Sequence, residues 1–504
     1  MIMMSTWACL IIFALIIPLL FVFTPPRHPR EIPSVPFWVT LLPVLFDVDQ
    51  QQIFEQYIAT RLYRHGAIKL FFAGQWNIIV ERPEFISEVL KREQIYNKSG
   101  NQKKIPHSVL ADFLGDHVLA AGSNIISARG EEWRCYRTII KPGLQKVIDT
   151  KRIIDNTRKL RETFRQMQGK SIQKGIPIQE ILQRYSSANL LCCIFDCPEL
   201  GSQMMSMEHD VLLHTTQLTL KRYLFRPIFM NFPVLDRLAS VIPSRAKARR
   251  LIRQFSELLQ AEVIPSSGKK LQNGENANCL GDRLRSAWRD GTLNTKQLRD
   301  NLNVLYVAGQ ENPQLLMVSS LYLLGKHSEI QEYLREKIKD LSISNLDDLD
   351  WRSLPYLTAT ILECLRLLPP ISQLVNRHVA EPACLGGRMH IPRGTYIGYN
   401  SYATNRDPVA WGPDANDFRP ERWGSTDEQI SRKYRSAKAR AEFISFHGGS
   451  RACLGEKFAL LQMRISLFVL ARAFRWELDP EWKDQMTPAG PLHPRGVRLV
   501  FKKL

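Results

Sequence analysis

Apolar residues recur at every third or fourth position along most of this chain, the spacing of helices that bury one face. The pattern covers residues 131–260 and resumes near Asn294. Alternation with a period of two, typical of strands, is confined to short stretches such as 375–400 and to one hairpin, Ile68–Phe72 with Trp76–Val80. The pattern predicts a mainly α fold with a small β portion.

The first apolar run differs because it is continuous. Trp7–Phe23 carries no charge and, with its uncharged flanks, reaches about 20 residues, enough for a helix to cross a bilayer. Basic residues follow it, so the positive-inside rule leaves the body in the cytosol and favours an anchor over a cleaved signal peptide. We expect residues 1–24 to be a membrane anchor, the proline-rich 25–36 a stiff linker, and 37–504 one large domain.

The charge balance is basic, with 68 Lys and Arg against 49 Asp and Glu and a net charge of +19. Such a chain suits an anionic membrane surface, an acidic protein partner or nucleic acid. No nucleic-acid motif is present, so we expect no nucleic-acid partner. The nine cysteines are an odd count without zinc spacing, and they indicate reduced thiols facing the cytosol.

The most specific chemistry lies at residues 446–455, which read FHGGSRACLG. A lone cysteine is usually a small buried hydrophobe. Here Gly449 permits a tight loop around Cys453, Arg451 supplies a cation for a haem propionate, and Phe446 can shield the sulfur from water. We interpret Cys453 as the axial ligand of a haem iron.

These ten residues resemble the haem-binding signature of the cytochrome P450 family, F-x-x-G-x-R-x-C-x-G, and further motifs follow in the family's order. The resemblance implies a cytochrome P450-like fold with a buried haem b (heme b) held by the Cys453 thiolate, with residues 37–504 as the catalytic domain. A thiolate ligand favours O–O cleavage. The resemblance also implies a monooxygenase of the endoplasmic reticulum membrane, single-pass, that receives electrons from NADPH through a separate NADPH–cytochrome P450 reductase.

Glu363 and Arg366 stand three residues apart on one face of a helix that ends at a proline pair. An ordinary exposed pair of this kind stabilises by less than ~1 kcal/mol. The apolar helix around it indicates a buried pair that needs a third partner. The resemblance implies that this partner is Arg422, and that the three residues hold the cysteine loop in place without a catalytic role.

Trp133 and Arg137 lie one helical turn apart on a common face. A surface amphipathic helix would explain the spacing, but the pair also matches the family's W-x-x-x-R motif. The resemblance implies that both side chains contact a haem propionate, for which a guanidinium is a suitable bidentate donor. Arg377 and Arg451 complete the predicted cationic set.

Residues 308–313, AGQENP, resemble the family's oxygen-binding helix, A-G-x-[DE]-T. Gly309 is expected to leave room for dioxygen, with a local widening of the helix. Glu311 matches the acid, but Asn312 stands in place of the usual Thr. Pro313 then favours a kink.

The replacement at Asn312 leaves three interpretations open. Protons are delivered through Glu311, Asn312 and ordered water; or a phenolic substrate assists; or a substrate is rearranged without dioxygen. The Ala-Gly-x-Glu-Asn arrangement is also similar to the fungal branch that includes the dityrosine-forming and isocyanide-cluster enzymes. That similarity implies oxidative coupling of tyrosine-derived phenols in fungal secondary metabolism. A reductase-independent isomerase or dehydratase and a non-catalytic haem sensor remain as alternatives.

Two surfaces complete the prediction. Four residues of the distal helix (Tyr306, Val307, Ala308 and Gln310) and the segment Ile371–Val375 are expected to line the pocket for a small organic substrate. The basic run between Arg432 and Arg440 is expected to face the reductase, although such a run is more often a solvated face.

Overall fold

In a computed structural model, the structure describes residues 23–100, 105, 107–114, 124–171, 174–266, 279–339, 346, 349–351 and 353–504. Residues 1–22 of the predicted anchor therefore lie outside the described residues. Within the described ranges, no helix combines the length and the apolar character needed to cross a bilayer.

The described part of the chain is mainly helical, as predicted. Its α-helices are α1 Leu42–Leu45, α2 Gln50–Ile53, α3 Thr60–His65, α4 Pro83–Lys91, α5 Val109–Phe113, α6 Gly130–Gln145, α7 Thr150–Lys170, α8 Gln179–Leu190, α9 Pro198–Met205, α10 Leu212–Leu224, α11 Pro227–Asn231, α12 Pro243–Ser266, α13 Leu280–Arg289, α14 Thr295–Lys326, α15 Ser328–Lys339, α16 Pro355–Leu367, α17 Ser401–Thr404, α18 Pro408–Trp411, α19 Asp427–Ala439 and α20 Glu456–Ala473. Short 3-10 turns lie at Phe37–Leu41, Pro233–Leu238, Pro420–Trp423 and Gly449–Arg451, and π-helical turns at Phe54–Ala59 and Leu191–Phe195.

The β portion is small, also as predicted. Its strands are β1 Ala67–Phe72, β2 Gln75–Val80, β3 Tyr96–Lys98, β4 Ile176–Pro177, β5 Gln373–Val379, β6 Ala383–Leu385, β7 Met389–Ile391, β8 Tyr396–Asn400, β9 Phe474–Leu478 and β10 Arg498–Lys503. They form sheets in the orders β1-β2-β8-β5-β3, β4-β10-β9 and β6-β7. The predicted hairpin is β1–β2, and Ala73 and Gly74 at its turn both have positive φ.

The long helix α14 runs through the body and packs against α8, α12, α16 and β9. It begins with a capping box, in which the Asn294 side chain accepts from the Gln297 backbone while the Gln297 side chain accepts from the Asn294 backbone. The widening predicted near Gly309 is absent from α14, which is α-helical throughout. Pro313 has no N–H to donate to the Gly309 carbonyl. The helix keeps its α form despite this missing hydrogen bond.

Two apolar cores position the site. The larger core includes residues of α8, α14, α16 and α20. The smaller core lies between the five-stranded sheet and α4, and it includes Leu90, Tyr399 and Ile444. Ile444 begins the segment that leads to Cys453, so the smaller core joins the sheet to the cysteine loop.

Candidate functional site

The predicted lock between Glu363 and two arginines is present and buried. Arg366 donates to both carboxylate oxygens of Glu363 at 2.8 Å, and Arg422 Nε donates to Oε1 at 2.7 Å. The Trp423 indole donates to Oε2 at 2.9 Å. Glu363 and Arg366 are fully buried, and a buried ion pair is tolerable only when its hydrogen bonds are satisfied in this way.

The lock is connected to the cysteine loop through Asn405. Arg366 donates to the Asn405 carbonyl at 2.8 Å, and the Asn405 side chain donates to Ser445 Oγ at 2.8 Å. The same side chain accepts from the Ile444 backbone at 3.1 Å. This path explains how a salt bridge on α16 can set the position of a loop far along the chain.

The loop itself is held by short-range backbone bonds. The Cys453 N–H donates to the Phe446 carbonyl at 2.9 Å, and the phenyl ring of Phe446 is buried. Gly449 has φ +64°, and a Cβ there would lie 3.3 Å from the Leu90 carbonyl oxygen. Glycine is therefore required both by the backbone conformation and by the close approach of α4.

The Cys453 side chain is accessible, although protein surrounds much of it. Burial raises the pKa of the thiol, while the backbone N–H of Gly455 donates to the sulfur and opposes that rise. The two observations are compatible because one accessible side exposes a thiol that is enclosed elsewhere. An accessible sulfur that receives backbone N–H groups suits a thiolate ligand to a large planar group.

The predicted cationic residues meet beside this loop. The guanidinium of Arg451 lies 4.1 Å from the ring centre of Trp133, and that of Arg137 lies 5.2 Å from it. Helix α6 is thus joined to the cysteine loop through one indole ring between two cations.

Arg377 of β5 joins the same cluster through Glu93. Glu93 lies 3.0 Å from Arg451 and 3.5 Å from Arg377, and these cations hold the pKa of its carboxyl below the usual value against the effect of burial. Arg377 is almost completely buried, yet its Nε has no hydrogen-bond partner among the described residues.

This donor set fits a porphyrin with carboxylate side chains. A buried guanidinium N–H without an acceptor is costly, and an anionic acceptor would satisfy it. The cations stand next to the loop that carries the accessible thiol, as a group with both an iron and propionates requires. A bare metal ion has less support, because the described residues contain no cluster of three His, Cys, Asp or Glu side chains suited to hold one.

On α14, Glu311 and Asn312 have different partners. Glu311 lies 3.3 Å from the ammonium of Lys221 on α10. The Asn312 side-chain amide donates to the Ala308 carbonyl at 3.3 Å, within its own helix. The amide nitrogen is thereby tied to the backbone, and the side-chain oxygen is the group that can accept from water or a ligand.

The structure gives Gly309 a neighbour that the sequence did not reveal. A Cβ at this position would lie 2.7 Å from Leu190 Cδ1 at the end of α8. The missing side chain therefore allows α8 and α14 to approach closely. Packing against α8 is one reason for the glycine, and its expected role beside dioxygen stays a prediction.

The assignment of Tyr306 and Gln310 to the pocket wall is wrong. Gln310 is fully buried, accepts from Gln217 of α10 and donates to Gln314, both at 2.8 Å. Tyr306 is also fully buried, and the centre of its ring lies 5.7 Å from the ring centre of Phe255 on α12. Residues four apart share a helix face, and this face is covered by neighbouring helices.

The basic run before the cysteine is partly paired. Lys438 lies 2.5 Å from Glu456, and Arg440 lies 2.7 Å from Glu442. Because Glu456 begins the helix that follows the cysteine loop, α19 does lie next to that loop.

Sequence reasoning missed Glu93, Lys221 and His447. His447 occupies an undefined position of the ten-residue motif, so the motif gives no signal for it, and its unusual φ of +59° emerges only from the structure. The partners of Glu93 and Lys221 are distant in sequence, so neither local spacing nor a motif could identify them.

The model of the cytochrome P450 family matches residues 33–501 of this chain. The chain belongs to the cytochrome P450 family. It is 40% identical over 495 residues to cytochrome P450-DIT2 of Saccharomyces cerevisiae, covering 97% of this chain and 95% of that protein. It is 37% identical over 463 residues to the cytochrome P450 monooxygenase xanG of Aspergillus fumigatus, covering 91% and 84%. The predicted family and its fungal relatives are thus confirmed.

This P450 is a monooxygenase, and so an oxidoreductase. Its family implies a haem iron with a cysteine thiolate ligand and electrons from NADPH through a reductase, as predicted. Plant relatives are more distant: the 11-oxo-beta-amyrin 30-oxidase of Medicago truncatula is 31% identical over 287 residues, covering 54% of this chain and 53% of that protein.

Proposed function

We propose that this P450 oxidises a small organic molecule, with Cys453 as the thiolate ligand of the haem iron. The observation that carries the proposal is the accessible Cys453 sulfur, which receives a backbone N–H and lies in the same loop as Arg451. When bound, the haem supplies the activation of dioxygen. The residues of the chain hold the group, exclude water and manage protons.

The cations beside the loop are proposed to bind the propionates. Arg137, Arg377 and Arg451 carry the charge, and Trp133 fixes the orientation of two of them through its ring. Phe446 covers the sulfur against water. Gly449 allows the turn that brings the backbone N–H groups toward it.

The proton path is proposed to start at Glu311. Its carboxylate lies 3.3 Å from Lys221, and the two side chains are 12% and 18% exposed, so this path is close to solvent at one end. Asn312 cannot relay a proton as a hydroxyl does, but its amide oxygen can hold the water that does. Gly309 is proposed to leave space for dioxygen beside this part of α14, because it has no side chain.

Coupling of phenols is the second candidate, and Asn312 is the residue that favours it. A phenolic substrate supplies its own O–H hydrogen, so it depends less on a hydroxyl from the helix. Two such molecules joined through one bond would lose two hydrogens in total. A tyrosine-derived phenol in fungal secondary metabolism fits this chemistry.

Location at the endoplasmic reticulum membrane is proposed from two apolar surfaces. Trp38, Leu45 and Phe46 are about half exposed or more, as are Val234 and Val241. The two segments adjoin, because α11, just before the second segment, packs against α1. Adjoining exposed apolar residues are typical of a membrane-facing surface.

The reductase is proposed to dock on α19, where Arg432 and Arg435 share an exposed face beside the cysteine loop. An acidic partner would be attracted there, and its on-rate would fall with salt. Replacing both arginines with Gln should slow reduction by the reductase without slowing reduction by dithionite. If the double variant is reduced by the reductase as fast as the wild-type protein is, the docking site is contradicted.

The product mass decides between the two candidates. Microsomes that contain the full chain and a reductase are given NADPH and a panel of tyrosine-derived phenols. A product mass equal to the substrate plus one oxygen atom supports monooxygenation. A product mass equal to two substrates minus two hydrogens supports coupling. Cys453→Ser is the control, and we expect it to abolish turnover and weaken haem binding. Turnover retained in Cys453→Ser would contradict the ligand assignment, and a phenol panel without any product would contradict the phenolic candidate.

A further inference from the structure

His447 follows Phe446 in the cysteine loop, in a backbone conformation that favours glycine. Its φ is +59°, and its backbone N–H donates to the Ile444 carbonyl at 2.9 Å. A residue other than glycine in this left-handed region of backbone conformation costs free energy, and it persists only where its surroundings hold it there. The interactions of the imidazole therefore need an explanation.

One ring nitrogen is already engaged by Tyr399 of β8. The Tyr399 hydroxyl lies 2.6 Å from His447 Nδ1, and the rings stack at 5.6 Å with 21° between their planes. Tyr399 is buried within the five-stranded sheet, between neighbours β2 and β5. A hydroxyl on a rigid strand is a good device for fixing the orientation of an imidazole.

The surroundings decide which atom donates. Burial, followed by Lys98, Arg377 and Arg451, holds the pKa of His447 well below its usual value, so the ring is neutral. Burial also keeps the Tyr399 phenol protonated by raising its pKa. The phenol therefore donates to Nδ1, and the single ring proton of His447 resides on Nε2.

This Nε2–H is buried and has no partner among the described residues. Arg377 Nε is a second buried N–H in the same condition, and Arg377 is one of the cations that act on His447. An unpaired buried donor costs free energy. Two such donors within one cationic cluster suit an anionic acceptor of the carboxylate type.

Glu93 is the protein carboxylate in this cluster, but its oxygens are engaged elsewhere. One accepts from Arg451 Nε at 3.1 Å, and the other accepts from Ser450 at 2.9 Å. Neither oxygen accepts from His447 Nε2 or Arg377 Nε, so these two donors are available to an acceptor on a ligand. A haem bound at Cys453 brings two carboxylates to this side of the site.

We propose that His447 Nε2 donates a hydrogen bond to a haem propionate, and that Tyr399 is the positioning residue that fixes the required tautomer. This inference rests on the proposed haem ligation by Cys453. It adds a neutral donor to the arginines and assigns a role to a histidine that the cysteine motif leaves undefined.

The test uses the full-length holoprotein and readouts other than activity. His447→Gly removes the imidazole and suits the positive φ, and His447→Asn keeps an amide donor on a residue that tolerates this conformation. Tyr399→Phe keeps the ring stack and removes the hydroxyl. Tyr402→Phe, a buried tyrosine of the following helix, is the matched control.

Haem transfer to excess apomyoglobin, the haem reduction potential and the resonance Raman propionate bending mode are measured for each variant. We expect His447→Gly to lose haem about tenfold faster, the change for a lost hydrogen bond to a charged group. The rate of haem loss from His447→Asn should lie between the rates of wild type and His447→Gly. Tyr399→Phe should shift the propionate mode and the potential in the same direction, and Tyr402→Phe should leave both unchanged.

A propionate mode and a haem-loss rate that stay at wild-type values in His447→Gly and Tyr399→Phe would overturn the inference. If His447→Gly does not fold, His447→Asn and Tyr399→Phe decide the question through the same readouts. A wild-type protein that binds no haem through Cys453 would refute the proposed function instead, so the two failures are distinguishable.

Discussion

Lys221 on α10 and Glu311 on α14 form an ion pair at 3.3 Å, with most of each side chain covered by protein. The pair joins α10 to the stretch of α14 that matches the family's oxygen-binding motif. A carboxylate held by an ammonium has a defined position, and a proton donor depends on such positioning. Lys221 therefore belongs to any account of how Glu311 acts.

Lys221→Met should lower the product formed per NADPH about two- to tenfold, because the Glu311 carboxylate loses its positioning partner. Lys221→Arg keeps the charge and should remain near wild type. Lys339→Met breaks an exposed pair with Glu336 on α15 and serves as control. NADPH consumption and product are measured together, and equal yields from Lys221→Met and wild type would exclude this pair from the proton path.

Asn312→Thr should change the ratio of product to NADPH consumed by about twofold or more, with haem content unchanged, because it introduces a hydroxyl that can relay protons. It also removes the amide that donates to the Ala308 carbonyl. The measurement is product and peroxide per NADPH, beside the haem spectrum. An unchanged ratio would place residue 312 outside the proton path.

Glu363→Gln should destabilise the protein by about 3 kcal/mol, since it leaves two buried guanidinium groups without their anion. Glu336→Gln is the matched control, because Glu336 pairs with Lys339 on the exposed surface and its loss should cost less than about 1 kcal/mol. Urea unfolding of both variants gives the comparison. Similar costs for the two would show that the buried lock stabilises no more than a surface pair.

Gly309→Ala should destabilise by about 1–3 kcal/mol, because the new methyl group meets Leu190 at 2.7 Å. In a Leu190→Ala background the same change should stabilise by up to about 1 kcal/mol, the helix propensity gained over glycine. Free energies of unfolding for the four proteins test this reversal. Equal effects in both backgrounds would show that packing against α8 is not the reason for the glycine.

Glu81→Gln should stabilise the protein at neutral and alkaline pH. Burial, followed by the nearby Asp407, raises the pKa of Glu81 to about 8. Between its ordinary pKa and pH ~8, the folded protein keeps a proton that the unfolded chain has released, so stability falls as pH rises. The advantage of Glu81→Gln should grow by up to about 1.4 kcal/mol per pH unit in this window and level off above it. A constant difference between the two proteins from pH ~5 to pH ~8 would contradict this.

Those parts of this protein that depend on local spacing can be predicted from its amino-acid sequence. Trp133 and Arg137 share a helix face because they are four residues apart, and Glu363 and Arg366 do so because they are three apart. The cysteine loop is equally local, since its glycine and its backbone N–H groups lie within one short segment. Helical periodicity also identified the mainly α fold.

Which side chains meet across the fold depends on long-range packing, and the structure was needed to show it. Gly309 faces Leu190 because α8 packs against α14, and Gln310 faces Gln217 because α10 does. Since α14 is buried on all sides, its apolar pattern does not indicate which helix packs on which side. The Nε2–H tautomer of His447 likewise depends on Tyr399, which the sheet brings from a distant strand. Local spacing sets the face on which a residue lies, and long-range packing sets what that face meets.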